Sequence, residues 1–367
     1  MHLKASSGSP LILFATGSTG GHVTPARAVG EALHESGQAV RTLYAGPAAG
    51  VAERMVNDFG GSYVPLEVHP IRGAGLVRWM RGLIELPVGA MESWRLLRLH
   101  RPDVVVGFGA HTSGPLVALA ALMGIPTLLL EANLEVGLAN RWLGRLVRRA
   151  AVAWPSTSGA FHGNAFVTGW PVPRATRDAR RCGGEAQRVF NLLVLGGSGG
   201  APQLDRAVRD ALPNLGTLAQ RLSVVHQAAA EEVESLRASY AAVGIEADVA
   251  PFFFGMEKHY RRASLVVTRA GAATLSELAA VGLPSIVVPL AAAGEHQVHN
   301  ARAWEQAGCG LTVLPRDVTG ARLSAAILAR AEDRERLEHM SEMARGQHRA
   351  DAASRIAEWC LQAARGT

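Results

Sequence analysis

The sequence predicts an α/β protein of two doubly wound parallel-sheet domains. Three observations predict it: the strand signals are continuous apolar runs, they alternate with helix signals, and the chain repeats its plan once. Apolar runs without polar alternation, such as "LILFA" and "NLLVL", are what parallel strands covered on both faces require. Alternating strand and helix gives βαβ units and hence Rossmann-like domains. At 367 residues, 48% hydrophobic and 19% charged, the chain has the length and composition for two folded domains of roughly 150–200 residues each.

Taken in order, the first unit opens with "LILFATGSTGGHVTPARAVGEAL" (11–33): a strand, a loop of Gly, Ser and Thr, a histidine and a helix. Such a loop leaves backbone N–H groups bare, and the helix N-terminus behind it favours an anion. The stretch 104–143, from "VVVGFGAHTSGP" to "LLLEANLEVGLANRWL", reads as strand, small-residue loop, apolar helix, strand and polar loop. The boundary is expected at "TGWPVPRATRDARRCGGEAQ" (168–187), where proline, charge and glycine break the periodicity. "FNLLVLGGSGGAPQLDRAVRDAL" (190–212) then answers to the first turn, and 265–304 answers to 104–143. Ligands of such sheets bind beyond the carboxyl ends of the strands, so each domain should present its Gly-rich loop to a shared central cleft.

Neither loop is a dinucleotide fingerprint or a P-loop. In "TRAGAATLSELAAVGLP" (268–284), Thr274, Ser276 and Glu277 stand at a helix start. Two readings are open there. Thr274 and Glu277 have capping-box spacing, and a carboxylate at 277 could equally take both hydroxyls of a ribose. "EHQVHNA" (295–301) offers polar side chains for reading a sugar.

The net charge is +6, concentrated in "RWLGRLVRRA" (141–150) and "RATRDARR" (174–181). Without aromatic–basic interleaving or a nucleic-acid motif, the expected partner is an anionic lipid surface or an anionic substrate, not nucleic acid. Cys182, Cys309 and Cys360 are too scattered for a zinc site or disulfide framework and read as packing residues. The N-terminal residues read as a tail into the first strand rather than a signal peptide, and the longest apolar stretch is interrupted by Gly124 and Pro126. "HPIRGAGLVRWMRGLIELP" (69–87) mixes apolar residues with arginines, either as an interfacial segment or as a helix packed on its own domain.

The succession G-S-T-G-G-H, V-G-F-G-A-H-T-S-G-P, L-E-A-N, T-G-W-P-V, G-G-S-G-G-A, G-A-A-T-L-S-E and H-Q-x-x-N-A, over about residues 10–360, resembles the MurG family. These are inverting transferases that move GlcNAc from UDP-GlcNAc to a lipid-linked muramoyl-pentapeptide in peptidoglycan synthesis. The resemblance implies the GT-B fold, with residues 1–169 on the acceptor and membrane side, 170–349 holding the nucleotide sugar, and a helix at 350–367 packing back on the first domain. It implies that Arg174, Ser198 and Gly199 meet the diphosphate and that the backbone near Phe253 meets the uracil. Ala272, Ala273 and Thr274 would lie against phosphate and sugar, Glu277 on the ribose and Gln297 on the GlcNAc hydroxyls, with Leu275, Ser276, His296 and Asn300 as further substrate-binding positions. Thr19, Gly20, Gly21 and His22 would form the acceptor loop, with His111 a second acceptor contact and Asn133 reaching the sugar.

Catalysis is expected to turn on His22 and Glu277. Imidazole suits the removal of the acceptor's proton as its oxygen attacks the anomeric carbon, although a loop histidine could instead only donate to a phosphate. No cofactor is expected to be required; a divalent metal would stimulate without a dedicated site. The implied location is the cytoplasmic face of the cell membrane, peripherally, against its anionic inner surface and in reach of a cell-wall synthesis complex. The chain departs from the family pattern at Ala132, Trp170, Pro173, Gly199 and His296. Those departures leave open a related transferase with another UDP-sugar or lipid acceptor, a UDP-GlcNAc 2-epimerase, and a non-catalytic nucleotide-sugar-binding paralogue.

Overall fold

A computed structural model describes residues 8–48, 50–67, 75–109, 113–179, 189–197, 199–289 and 295–366, with the backbone alone over 75–87. The chain divides into two compact units, residues 1–173 with 349–367, and residues 174–348.

In the first unit the order is β1 (Leu11–Ala15), α1 (Gly20–Glu35), β2 (Arg41–Pro47), α2 (Ala52–Asp58), β3 (Tyr63–Leu66), α3 (Gly75–His100) and β4 (Val104–Gly107). It continues with α4 (Gly114–Leu122), β5 (Thr127–Glu131), α5 (Leu138–Leu143), β6 (Arg149–Val152) and β7 (Ala165–Val167). The strands pair in parallel in the order β3-β2-β1-β4-β5-β6-β7. Every residue of β1, β4 and β5 is buried, as their unbroken apolar runs require.

The second unit holds α6 (Arg174–Asp178), β8 (Phe190–Leu195), α7 (Pro202–Leu215), β9 (Leu222–Gln227), α8 (Val233–Ala242), β10 (Glu246–Ala250), α9 (Met256–Arg262) and β11 (Leu265–Thr268). It ends with α10 (Ala272–Val281), β12 (Ser285–Val287), α11 (His296–Gln306), β13 (Gly310–Thr312), α12 (Gly320–Glu332) and α13 (Arg334–Gly346). Its parallel sheet runs β10-β9-β8-β11-β12-β13. Successive β8 residues serve opposite faces. Leu192 and Val194 pack with Leu204, Leu236 and Ile327 from α7, α8 and α12. Leu193 and Leu195 pack with Tyr260, Leu278 and Trp304 from α9, α10 and α11. Each such fully buried aliphatic side chain stabilises by about 1.5–3 kcal/mol, and the sum fixes the loops at the strand ends.

The last helix, α14 (Ala352–Ala364), packs on α1 in the first unit, and Arg355 there donates to the Val167 carbonyl at 2.7 Å. Cys309 and Cys360 are buried free thiols; burial pushes Cys309 up to about 12 and raises Cys360 as well, so both act as packing residues. Cys182 lies outside the described residues. Among the described residues no helix is long and apolar enough to cross a membrane.

Candidate active site

In the first unit, the chain leaves β1 through Thr16, Gly17 and Ser18 and enters α1 with Thr19 extended (φ −113, ψ 156) as its N-cap. Thr19 makes no side-chain capping bond to a helix N–H. Its Oγ1 instead meets His22 Nδ1 at 2.8 Å. No acidic residue occupies the first turn of α1, so the turn of Gly20 and Gly21 keeps the positive end of the helix for an anion. The loop is braced from behind. Gly50 adopts φ +113, where a Cβ would lie 2.7 Å from the Ser18 carbonyl oxygen, and Val51 N–H donates to that oxygen at 3.3 Å.

The chemistry of the Thr19–His22 pair follows from its geometry. When Nδ1–H donates to the threonine oxygen, Nε2 carries the lone pair and can take a proton. His22 is half-buried. The sequence-predicted acceptor loop of Thr19, Gly20, Gly21 and His22 is thus one contiguous turn. His111 lies outside the described residues.

Asn133 stands beyond β5 on a loop organised by a carboxylate. Glu131, only 2% exposed, accepts the Asn133 backbone N–H and Nδ2–H on Oε1, both at 2.9 Å, and Asn140 Nδ2–H on Oε2 at 2.8 Å. Trp154 Nε1–H donates to the Ala132 carbonyl, and the Thr157 hydroxyl reaches the carbonyls of Asn133 and Leu134. The departure from the family at Ala132 therefore sits where only its backbone is engaged by Trp154.

In the second unit the matching turn is Gly196–Ala201, between β8 and α7. Ser198 lies outside the described residues. Gly199 is exposed, and nothing lies within 4 Å of where its Cβ would be. Gly200 is constrained: its φ is +71 and a Cβ would meet Ala229 Cβ at 2.8 Å. Behind the loop stands Arg269, just past β11, with Nη1 donating to Gly196 O at 3.0 Å and Gly200 O at 3.3 Å. Its Nε is buried without a hydrogen-bond partner among the described residues, and burial weighs against its charge, lowering its pKa. A half-buried guanidinium behind a Gly-rich loop is suited to an anion.

Past Arg269 the chain enters α10 through Gly271, which has no side chain to cap the helix, and the first turn holds no acid. The amides of Ala272, Ala273 and Thr274 make this a second anion-ready N-terminus in the unit. The capping-box reading is corrected here. The helix starts two residues before Thr274, so Glu277 falls in the second turn, too far along to cap it. Its Oε2 accepts the Tyr260 hydroxyl at 2.6 Å, and burial together with the Glu277 charge pushes that phenol far above its usual range. Leu275 is buried in the core and its N–H donates to Gly271 O, while the Ser276 hydroxyl turns back to Ala272 O. Both residues serve the helix.

On α11, His296 starts the helix half-buried, Gln297 is 5% exposed, and Asn300 Nδ2–H donates to Ala270 O at 3.2 Å. Asn300 thereby ties α11 to the loop before α10. The Phe253 ring rests 5.0 Å from His259, just ahead of α9. Arg174 is exposed and paired with Asp178 at 3.4 Å on α6. Among the described residues no three His, Cys, Asp or Glu side chains group so as to hold a metal ion.

Comparison with known proteins decides the family. The chain is 38% identical to the UDP-N-acetylglucosamine–N-acetylmuramyl-(pentapeptide) pyrophosphoryl-undecaprenol N-acetylglucosamine transferase of Anaeromyxobacter dehalogenans, over 96% of this chain and 93% of that one. The chain belongs to the MurG family. The transferase of the same name from Syntrophus aciditrophicus is 36% identical over 95% of this chain and 98% of its own. Residues 12–152 match the glycosyltransferase family 28 N-terminal domain and 191–356 the C-terminal domain. The crystal structure of Acinetobacter baumannii MurG superposes with a TM-score of 0.69 at 26% identity, covering 96% of this chain and 99% of that one. A UDP-N-acetylglucosamine 2-epimerase structure superposes equally well, TM-score 0.69, covering 96% of each chain, but at 14% identity it shares the fold alone. The two doubly wound units are those of the GT-B fold.

Within this MurG-family chain, two residues escaped the sequence reading. Arg269, inside "TRAG", has one legible signal, a lone cation between small residues at the end of a buried strand. Glu131, in L-E-A-N, carries no such signal, because nothing local shows that its partners are residues 133 and 140.

Proposed function

We infer that this protein is an inverting glycosyltransferase that moves N-acetylglucosamine from UDP-GlcNAc to a lipid-linked muramoyl-pentapeptide in peptidoglycan synthesis. One observation carries the reading: 36–38% identity, nearly end to end, to transferases named for that reaction. The geometry supplies matching chemistry in each unit. The acceptor hydroxyl gives its proton to His22 Nε2 as its oxygen attacks the anomeric carbon. The bond from that carbon to the diphosphate breaks, and UDP leaves with the electron pair. The departing charge is met by the amides of the 196–201 loop other than those of Gly196 and Gly200, by the amides of Ala272–Thr274 and by Arg269, so no resident metal is assigned. Glu277, held by Tyr260, takes the ribose hydroxyls; Phe253 lies on the uracil side, and Asn133, His296 and Gln297 contact the sugar. Ser198 and Gly199 meet the diphosphate, Arg174 joins them from α6, and His111 contacts the acceptor.

A peripheral seat on the anionic inner surface of the cytoplasmic membrane completes the reading. Its support is an exposed group on and after α5. Leu138, Trp142 and Leu146 are 75%, 68% and 48% exposed, beside the exposed Arg141, Arg145, Arg148 and Arg149. Arg145 lies over the Trp142 ring at 5.0 Å, an apolar body with a cationic rim suited to headgroups. On α3, Val88, Met91 and Trp94 are also exposed. The 69–87 segment lies outside the residues whose side chains are described.

The test is UDP release from UDP-GlcNAc with and without a lipid I analogue, beside UDP-glucose and UDP-GalNAc. Acceptor-dependent release confined to UDP-GlcNAc is expected. Acceptor-independent conversion of UDP-GlcNAc to its 2-epimer, or UDP binding without turnover of any pair, would overturn the reading.

A further inference from the structure

Beneath the Gly-rich loop of the second unit runs a buried chain of hydrogen bonds. His226, the fifth residue of β9, and Asp205, in the first turn of α7, have no exposed surface; Tyr240 of α8 is 2% exposed. His226 Nε2 lies 3.2 Å from Asp205 Oδ1, and Nδ1 lies 3.1 Å from the Tyr240 hydroxyl. Asp205 Oδ2 accepts the Ala229 N–H at 2.9 Å. With a neutral imidazole the protons have one arrangement. The carboxylate only accepts, so Nε2–H donates to it, and Nδ1 then accepts from Tyr240. Burial and the Asp205 charge raise the Tyr240 pKa, which keeps its proton in place to donate.

What this chain holds is the stretch 227–229. Gly196 N–H donates to Gln227 O at 3.0 Å, and Ala229 stands so near Gly200 that a Cβ there would meet its Cβ at 2.8 Å, so the stretch lies against both ends of the Gly-rich loop. From the same stretch, Ala228 N–H donates to Ala250 O at 3.1 Å and Gln227 Nε2–H to Pro251 O at 3.5 Å, at the root of the loop that carries Phe253. One three-residue segment therefore shapes the diphosphate loop and the uracil-side loop. Three apolar residues would fill the space below it without burying a carboxylate, which is costly even when paired. Directional bonds fix 227–229 along the chain axis in a way that packing alone does not.

We propose that Asp205, His226 and Tyr240 are positioning residues for the donor, a buried relay that sets 227–229 and through it both loops that hold the UDP moiety. The proposal rests on the reading that this unit binds UDP-GlcNAc. Asp205→Asn leaves a single acceptor oxygen where two are used, so either His226 or Ala229 loses its bond. Tyr240→Phe removes one donor with no change of shape.

UDP affinity is measured by titration calorimetry and donor and acceptor KM by UDP release, with melting curves recorded on the same samples. Asp205→Asn is expected to weaken UDP about tenfold and raise the donor KM in step, with the acceptor KM unchanged. Tyr240→Phe is expected to give about two- to threefold in the same direction, and it decides the matter should Asp205→Asn not fold. Leu236→Ala, a fully buried position on α8, is expected to lower the melting temperature while leaving UDP affinity alone. Lowered melting with wild-type UDP affinity in the two relay variants overturns the proposal, as does an equal loss of affinity in Leu236→Ala. Glu277→Ala separates the underlying reading: if it binds UDP as tightly as the wild type, the donor assignment itself fails.

Discussion

The two Gly-rich turns, 17–22 in the first unit and 196–201 in the second, share a buried strand before them and a helix after them. They differ in what stands against the loop. The first is served from its own helix by a Thr19–His22 pair with Oγ1 and Nδ1 2.8 Å apart, a group that can gain or lose a proton. The second is served from another strand by Arg269, a group that cannot. The difference teaches that a strand–loop–helix turn supplies only amides and a dipole. What sets the two turns apart is the side chain placed beside each: an imidazole at the first and a guanidinium at the second, the one suited to taking a proton and the other to holding a negative charge.

Exchanging losses between the turns breaks the comparison most sharply. His22→Ala is expected to lower kcat by about 10²–10⁴-fold while UDP affinity, read by calorimetry, stays within about twofold. Loss of UDP affinity in that variant would mean that the first turn handles donor charge and that the contrast is false. Arg269→Ala should do the reverse, weakening UDP by about 10–100-fold through lost charge-assisted bonds, with the acceptor KM steady. Part of that loss is structural, because Arg269 also ties Gly196 O to Gly200 O. Arg269→Lys, which keeps the charge but not the fork, should recover only a fraction.

These predictions also mark what could be read in advance. The sheets were legible because continuous apolar runs such as 11–15 and 265–268 are fully buried in the structure. The contact between Thr19 and His22 is within reach of the sequence because the two stand three residues apart, within a single helical turn. The contacts of Glu131 and Arg269 are not, for opposite reasons. The roles of Glu131 depend on how residues 133 and 140 fold back, and Arg269 bonds carbonyls 69 and 73 residues away in sequence. The capping-box alternative for Glu277 failed for a local reason: Gly271 offers an earlier start with an uncapped first turn. An anion-binding helix and a self-capped helix compete for the same N–H groups, and the spacing of Thr274 and Glu277 alone does not separate them.

A smaller effect sharpens the account of the first turn. Thr19→Val keeps the branched shape and removes the oxygen that meets His22 Nδ1. The imidazole then loses its orienting partner, and kcat should fall about tenfold, with UDP affinity unchanged. Thr19→Ser should restore the rate, since its hydroxyl can stand in the same place. Equal rates in the valine and wild-type proteins would show that the pair is incidental to the reaction.

The smallest effect concerns the loop of the second unit and separates two of its glycines, Gly199 and Gly200, by need. Gly200 holds a left-handed φ and touches Ala229, so Gly200→Ala is strained twice over and should cost about 1–3 kcal/mol of stability, with weakened UDP binding. Gly199 has neither constraint: its Cβ direction is open and its φ lies outside the left-handed region. Gly199→Gln, which puts back the glutamine of the family pattern that this chain resembles, should leave the stability within about 0.5 kcal/mol of wild type. If the donor KM also holds within about twofold, the loop works through its backbone and the departure at 199 is neutral. If the glutamine lowers the donor KM severalfold, a side chain at 199 reaches the nucleotide sugar, and this chain operates without a contact that its relatives use. The first result sets the second turn against the first: one depends on a named side chain in the turn, the other on amides set by the residues behind it. The second result erases that contrast.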